Sequence, residues 1–154
     1  AVPTLARINF DCIVLEDRED FAKPELFPGA RRTRLVDMEH LEEVCRDITS
    51  DDYICVMTRG HQHDFLVEKQ ILRTPASYIG VIGSRKKKEA VFAKLRQEGY
   101  TDQDLARIKT PMGLDIQAET PAEIAVSIAA EMIMERARRN HIERPNEGGK
   151  EPCV

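Results

Sequence analysis

Residues 10–15, 53–57 and 78–82 are dominated by apolar side chains at consecutive positions instead of every second one. A strand with one wet face alternates, whereas runs of this kind suit strands covered on both faces, the usual condition of a parallel sheet. Parallel neighbours need crossovers long enough to hold a helix. The sequence supplies them, because residues 38–47, 61–73, 84–98 and 121–139 carry helix-like patterns. This β-α-β-α order predicts an α/β fold of three layers, αβα, with a mostly parallel sheet and helices on both faces. A weaker strand is expected over 33–36 and another near 112–116, and residues 2–8 read as the end of a helix running into the first strand.

The last helix is the clearest local reading. Thr120-Pro121-Ala122-Glu123 supplies an N-cap, a proline at the first helical position and a glutamate three residues after the cap, which together form a capping box. Behind it Ile124, Ala125, Ile128, Ala129, Met132 and Ile133 recur at the spacing of a buried face. With 154 residues the chain fits one domain, expected over 1–140, followed by a loosely attached polar tail over 141–154. A net charge of −4, with cations gathered at Arg85–Lys88 and Arg136–Arg139, argues against a general nucleic-acid partner and for a phosphate-sized anion. No apolar stretch approaches the ~20 residues needed to span a bilayer. Ala1-Val2-Pro3-Thr4 does not open a signal peptide, so a cytoplasmic location is expected. Cys12, Cys45 and Cys55 read as small buried hydrophobes and Cys153 as an incidental tail thiol.

Candidate chemistry gathers at predicted strand ends, where open α/β sheets bind ligands. At 78–92 an apolar run stops at Gly83 and a helix begins with Ser84, Arg85, Lys86, Lys87 and Lys88. Cations in a first helical turn oppose the macrodipole by about 0.3–1 kcal/mol each. The arrangement makes sense if an anion sits on the exposed N–H groups of the turn. Its plainer reading is a solvated basic turn with Ser84 as an ordinary N-cap. At 58–64, Thr58-Arg59-Gly60-His61-Gln62-His63-Asp64 offers Arg59 for a bidentate anion contact and His61 for hydrogen bonding or proton transfer. His61 or Asp64 as a helix cap is the structural alternative, and the spacing does not suit a metal. Within 110–120, Asp115 needs a partner if it is buried and otherwise serves nearby backbone N–H groups. Glu16 and Asp17 close the first predicted strand, where an acid bonds ribose hydroxyls in nucleotide-binding α/β units, the alternative being that they are merely polar turn residues. The glycine-rich turn and strand that come first in such units are absent from the residues given.

Four stretches then line up with one known family: 15–21 (Leu-Glu-Asp-Arg-Glu-Asp-Phe), 58–64, 78–85 (Tyr-Ile-Gly-Val-Ile-Gly-Ser-Arg), and 111–115 (Pro-Met-Gly-Leu-Asp) continuing through 120–131. Together they resemble the C-terminal Rossmann-like domain of the xanthine dehydrogenase accessory proteins, the XdhC/CoxF-type maturation factors of molybdenum hydroxylases. The resemblance implies a factor that binds a molybdopterin-type molybdenum cofactor and hands it to a molybdenum hydroxylase apoenzyme. The cofactor contacts would come from Asp17, Arg59, Gly60, His61, Gly83, Ser84 and Arg85. An NAD(P)-dependent oxidoreductase, with His61 or Asp115 managing a proton, is the alternative, and a module that only binds a partner protein is another. Family members carry a strand and a Gly-x-Gly-His-like turn ahead of the segment matching 2–10. Without them the neighbouring strand edges invite pairing with another copy, so either a homodimer or an omitted segment is expected. Gln117 stands where the family pattern has glycine.

Overall fold

The computed structural model describes residues 1–58 and 61–143, without the side chains of residues 61, 62, 142 and 143. The order is α1 (Val2–Arg7), β1 (Cys12–Glu16), a 3-10 turn (Pro24–Leu26), β2 (Ala30–Leu35) and α2 (Glu42–Asp47). It continues with β3 (Tyr53–Val56), α3 (His61–Ile71), β4 (Tyr78–Val81), α4 (Arg85–Gln97), α5 (Asp102–Leu105), β5 (Ile108–Lys109) and α6 (Pro121–Glu143). All strand pairing is parallel: β1 with β2, and β3–β4–β5 with β4 in the middle.

The consecutive apolar runs have the physical cause expected of them. All four residues of β4 are buried, and successive side chains enter different cores. Ile79 and Val81 join Ile54, Val56, Val67, Ile71, Val91, Phe92 and Leu95 on the face covered by α2, α3 and α4. Tyr78, Tyr53 and Cys55 join Leu5, Met112, Ile128, Ala129 and Met132 on the face covered by α1 and α6. Helices thus cover both faces, giving the three-layer αβα, Rossmann-like fold.

Several boundaries differ from the sequence reading. Asp37 accepts the Glu39 N–H at 2.9 Å and the Asp37 carbonyl accepts the His40 N–H at 3.1 Å, an Asx turn that delays α2 to Glu42. The short strand expected near 112–116 lies at Ile108–Lys109, because Pro111 has no N–H and Gly113 takes φ +102°. Met112 still donates to the Val81 carbonyl at 3.0 Å, which keeps the loop against β4. The turn of helix α5 was not anticipated, although Thr101 and Asp104 cap it reciprocally. In α6 the capping box forms as expected, with Thr120 N–H to Glu123 at 2.8 Å and Glu123 N–H to Thr120 at 3.3 Å. Ala125, Ile128, Ala129 and Met132 are buried, but Ile124 and Ile133 are exposed, so the apolar stripe is wider than the core it meets. The helix runs on to Glu143, and the expected tail beyond it lies outside the described residues. Cys12, Cys45 and Cys55 are free and half-buried. Burial pushes the Cys55 thiol up to about 12, consistent with inert packing groups.

Candidate functional site

α3 follows β3 and α4 follows β4, and the ends of these two strands hold several of the candidate residues. Beyond β4 the chain passes through Ile82 and Gly83 to Ser84, whose extended backbone (φ −79°, ψ 158°) makes it the N-cap of α4. Its hydroxyl accepts the Lys87 N–H at 3.3 Å, so the plainer reading of Ser84 holds for the side chain. The first intrahelical bond runs from the Lys88 N–H to the Ser84 carbonyl at 3.1 Å, which leaves the Arg85 and Lys86 N–H groups ahead of it without an intrahelical acceptor.

Arg85 and Lys86 are exposed, and Lys87 and Lys88 are half-buried. Among the described residues none of the four is ion-paired. Two glycines of the motif have different causes. A Cβ on Gly80 would stand 2.4 Å from the Met112 sulfur and 2.6 Å from the Tyr78 hydroxyl, so packing requires glycine there. Among the described residues, a Cβ on Gly83 would meet nothing nearer than Lys87 Cδ at 3.7 Å. No described neighbour demands glycine at that position, and among the described residues the space beside its backbone is open.

Beneath this turn lies a cavity of about 10 Å³ lined by Asp64, Glu68, Gly83, Lys87, Lys88 and Thr110 among others. Asp64 and Glu68 are each only 3% exposed and stand four apart on α3, on one helical face. The Thr58 hydroxyl at the end of β3 donates to Asp64 Oδ1. Among the described residues Glu68 Oε2, itself buried, has no hydrogen-bond partner. Burial first, and then the Asp64 charge, push Glu68 up to about 8. Sequence reasoning weighed Asp64 only as a cap or ligand and missed Glu68. The available signal was its spacing from Asp64 on the apolar stripe of Val67 and Ile71.

A second, open cleft of about 660 Å³ lies at the ends of β1 and β2, lined by Asp17, Glu19, Leu35, Val36, Asp37, Met38, Glu39 and His63. Glu16 is engaged by Arg18, which donates through Nε at 2.8 Å and Nη2 at 3.0 Å. That pairing holds its carboxyl down at about 2. Asp17 is exposed and stands 4.0 Å from Arg18 Nε, which makes it the acid of the pair that faces the cleft. The N-terminal part of α3 divides the two spaces, with His63 facing the cleft and Asp64 the cavity.

The structure therefore brings Gly83, which leads into Ser84 and Arg85, beside the cavity that Asp64 lines, and places Asp17 across α3 with His63. His61 is the first residue of α3, while Arg59 and Gly60 lie outside the described residues. Asp115 is exposed, away from both spaces, and accepts the Gln117 N–H at 3.3 Å. Gln117 takes φ +58°, the left-handed conformation that favours glycine. Among the described residues no group of three or more His, Cys, Asp or Glu side chains forms a metal cluster, and no helix is long and apolar enough to cross a membrane.

Parallel strands linked by helices that cover both faces define a Rossmann-like α/β domain. Residues 1–132 match the XdhC Rossmann domain, and the chain belongs to that family. It is 31% identical over 130 residues to the uncharacterized protein YqeB of Escherichia coli K12, covering 83% of this chain and 23% of that protein. It is 29% identical over 133 residues to a probable xanthine dehydrogenase component of Bacillus subtilis 168, covering 86% of this chain and 38% of that one. A crystal structure described as a xanthine dehydrogenase from Bacillus halodurans superposes with a TM-score of 0.76 at 27% identity, over 95% of this chain and 44% of that one. The chain thus spans less than half the length of each of these relatives.

Proposed function

We propose that this domain is the cofactor-holding part of an accessory factor for a xanthine dehydrogenase-type molybdenum hydroxylase. Its cargo is a phosphate-bearing molybdopterin-type molybdenum cofactor, delivered to the apoenzyme partner. One observation carries the reading: an open glycine at Gly83 leads into a helix whose first turn presents Arg85, Lys86, Lys87 and Lys88 without ion-pair partners among the described residues. A dianionic phosphate there turns an unfavourable helix start into a favourable one. The 660 Å³ cleft across α3 has the size of a small-molecule site, and the names of the relatives support the partner class.

A dinucleotide is the second reading, favoured by Asp17 at a strand end. The carboxylates of Asp17, Glu19, Asp37 and Glu39 around the cleft accept ribose hydroxyls and repel a 2′-phosphate, so this reading specifies NAD over NADP. Thermal unfolding with molybdenum cofactor, NAD, NADP and inorganic phosphate separates the possibilities. A ligand at a hundred times its Kd adds about 2.7 kcal/mol. The expected result is stabilisation by the molybdenum cofactor that Arg85→Ala weakens by about 1.5–3 kcal/mol, the range for a hydrogen bond to a charged group. Preference for NAD with nicotinamide turnover transfers the assignment to an oxidoreductase, and indifference to all four leaves a partner-binding module.

A further inference from the structure

We propose that Asp64 and Glu68 form a site for one hard divalent cation of the Mg²⁺ or Mn²⁺ class, bound jointly with the phosphate held at the Gly83–Ser84 turn. The inference rests on the anion-binding reading of that turn and adds a second component to it.

The buried acid pair is the starting point. Two carboxyl groups four residues apart on α3 share one small cavity, each 3% exposed. The described residues give Glu68 Oε2 no donor, and a buried acceptor left unmade costs about 1–3 kcal/mol. The cations that line the cavity, Lys87 and Lys88, do not relieve it, since neither is ion-paired to Glu68 or Asp64. Lys88 Nζ lies instead over the Phe92 ring, 5.1 Å from its centroid.

The donor chemistry is uniformly hard. Asp64 and Glu68 supply carboxylate oxygens, Thr58 is a hydroxyl already bonded to Asp64, and Thr110 lines the same space. Oxygen-only sets select Mg²⁺, Ca²⁺ or Mn²⁺ over zinc or copper. A cavity of about 10 Å³ has room for one ion or one water and for no organic group. Two carboxylates are too few to enclose an ion, but a site of one or two carboxylates completed by ligand phosphates is the common arrangement for Mg²⁺. Gly83 lines the cavity and also opens the helix turn, so one ligand phosphate reaches both. In that arrangement Arg85 and Lys87 meet outer phosphate oxygens and the ion meets the inner ones. The repulsion between the lysines and the ion is then screened by the anion between them, which makes ion and phosphate bind cooperatively.

The test measures pyrophosphate binding by calorimetry with and without Mn²⁺ on the full chain, beside Glu68→Gln, Asp64→Asn and Arg85→Ala. Glu68→Gln is isosteric, and circular dichroism checks its fold. Mn²⁺ also binds pyrophosphate in solution, so the coupling is read as the difference between the parent chain and Glu68→Gln. The expected result is about tenfold tighter pyrophosphate binding with Mn²⁺, within the usual span of coupling between sites, with the gain lost in Glu68→Gln and Asp64→Asn. Arg85→Ala should weaken pyrophosphate with and without the metal and leave the coupling in place. Equal coupling in the parent and Glu68→Gln overturns the ion site while the anion turn stands. Absence of pyrophosphate binding under either condition overturns the anion turn and the ion site together.

Discussion

Glu68 is a buried acid whose Oε2 has no hydrogen-bond partner among the described residues, and its titration gives a measurable consequence. Its carboxyl is raised from an ordinary 4.5 to about 8 by burial and by Asp64. Between those values the folded chain keeps a proton that the unfolded chain has released. The stability it contributes is therefore fully present below about pH 4.5 and lost as pH rises through about 8. At 1.36 kcal/mol per pKa unit the loss amounts to a few kcal/mol. Asp64 on the same helix and Lys87 and Lys88 from α4 face the same cavity. Urea titrations in chelator should show stability declining from pH 5 to 8 in the parent chain and a flatter profile in Glu68→Gln; parallel profiles would contradict the assignment. The two motif glycines give the second residue-scale prediction. Gly80→Ala forces a Cβ against the Met112 sulfur at 2.4 Å and should cost about 1–3 kcal/mol, the range for overpacking. Gly83→Ala should change stability by less than ~0.5 kcal/mol, as surface substitutions do, while weakening phosphate binding. Calorimetric unfolding and pyrophosphate titration of both variants check the pair. In the sequence the two glycines belong to one motif and look alike. Only the packing of Met112 beneath β4 separates them, and that contact joins residues 32 positions apart.

At the scale of elements, legibility followed how local the cause was. The α6 capping box is written in four adjacent residues and formed as read. The wrongly placed β5 depends on which residues reach β4 before Pro111 and Gly113 turn the chain away, a tertiary choice that local pattern does not encode. The same loop is pinned by Glu131 of α6, whose Oε2 accepts both the Tyr78 hydroxyl at 2.5 Å and the Gly113 N–H at 2.7 Å. Burial and this hydrogen bond hold the Tyr78 hydroxyl in its protonated form, well above the usual phenol range. Glu131 is 8% exposed, so its removal strands the buried Tyr78 hydroxyl and the half-buried Gly113 N–H. Glu131→Ala should destabilise the domain by about 2–6 kcal/mol, from about 1–3 kcal/mol for each unmade bond. Hydrogen exchange at Gly113 should speed up while the amides of α4 keep their protection. Equal acceleration at both places would mean that Glu131 supports the whole core and not the loop.

The whole molecule contains two parallel sheets, β1–β2 and β3–β4–β5, whose three-layer, two-faced character was readable because apolar runs on consecutive positions have few other uses. The sequence reading expected one mostly parallel sheet, and its apolar runs did not show the division into two. The physical expression of that division is that one edge of β1 and one edge of β3 have no strand partner among the described residues. Both strands nevertheless sit over one core: Cys12 and Cys55 pack against the same cluster, and the Phe10 and Tyr53 rings meet edge to face at 5.3 Å. Open edges over an apolar core seek another strand. The exposed apolar groups nearby, Ile13 at 56% on β1 and Val126 at 53% on α6, add surface that association would cover. A second copy of this chain is one source of complementary edges, and it satisfies a closed two-fold pairing. Sedimentation over a range of concentrations should therefore show reversible self-association, weakened by Ile13→Lys, because a charge on an edge strand opposes pairing. A chain that stays monomeric at the highest concentration tested would show that the side chains of Phe10, Tyr53 and the core below suffice to close the space between the sheets. Association unchanged in Ile13→Lys would place the contact on α6, where Val126→Lys becomes the deciding variant.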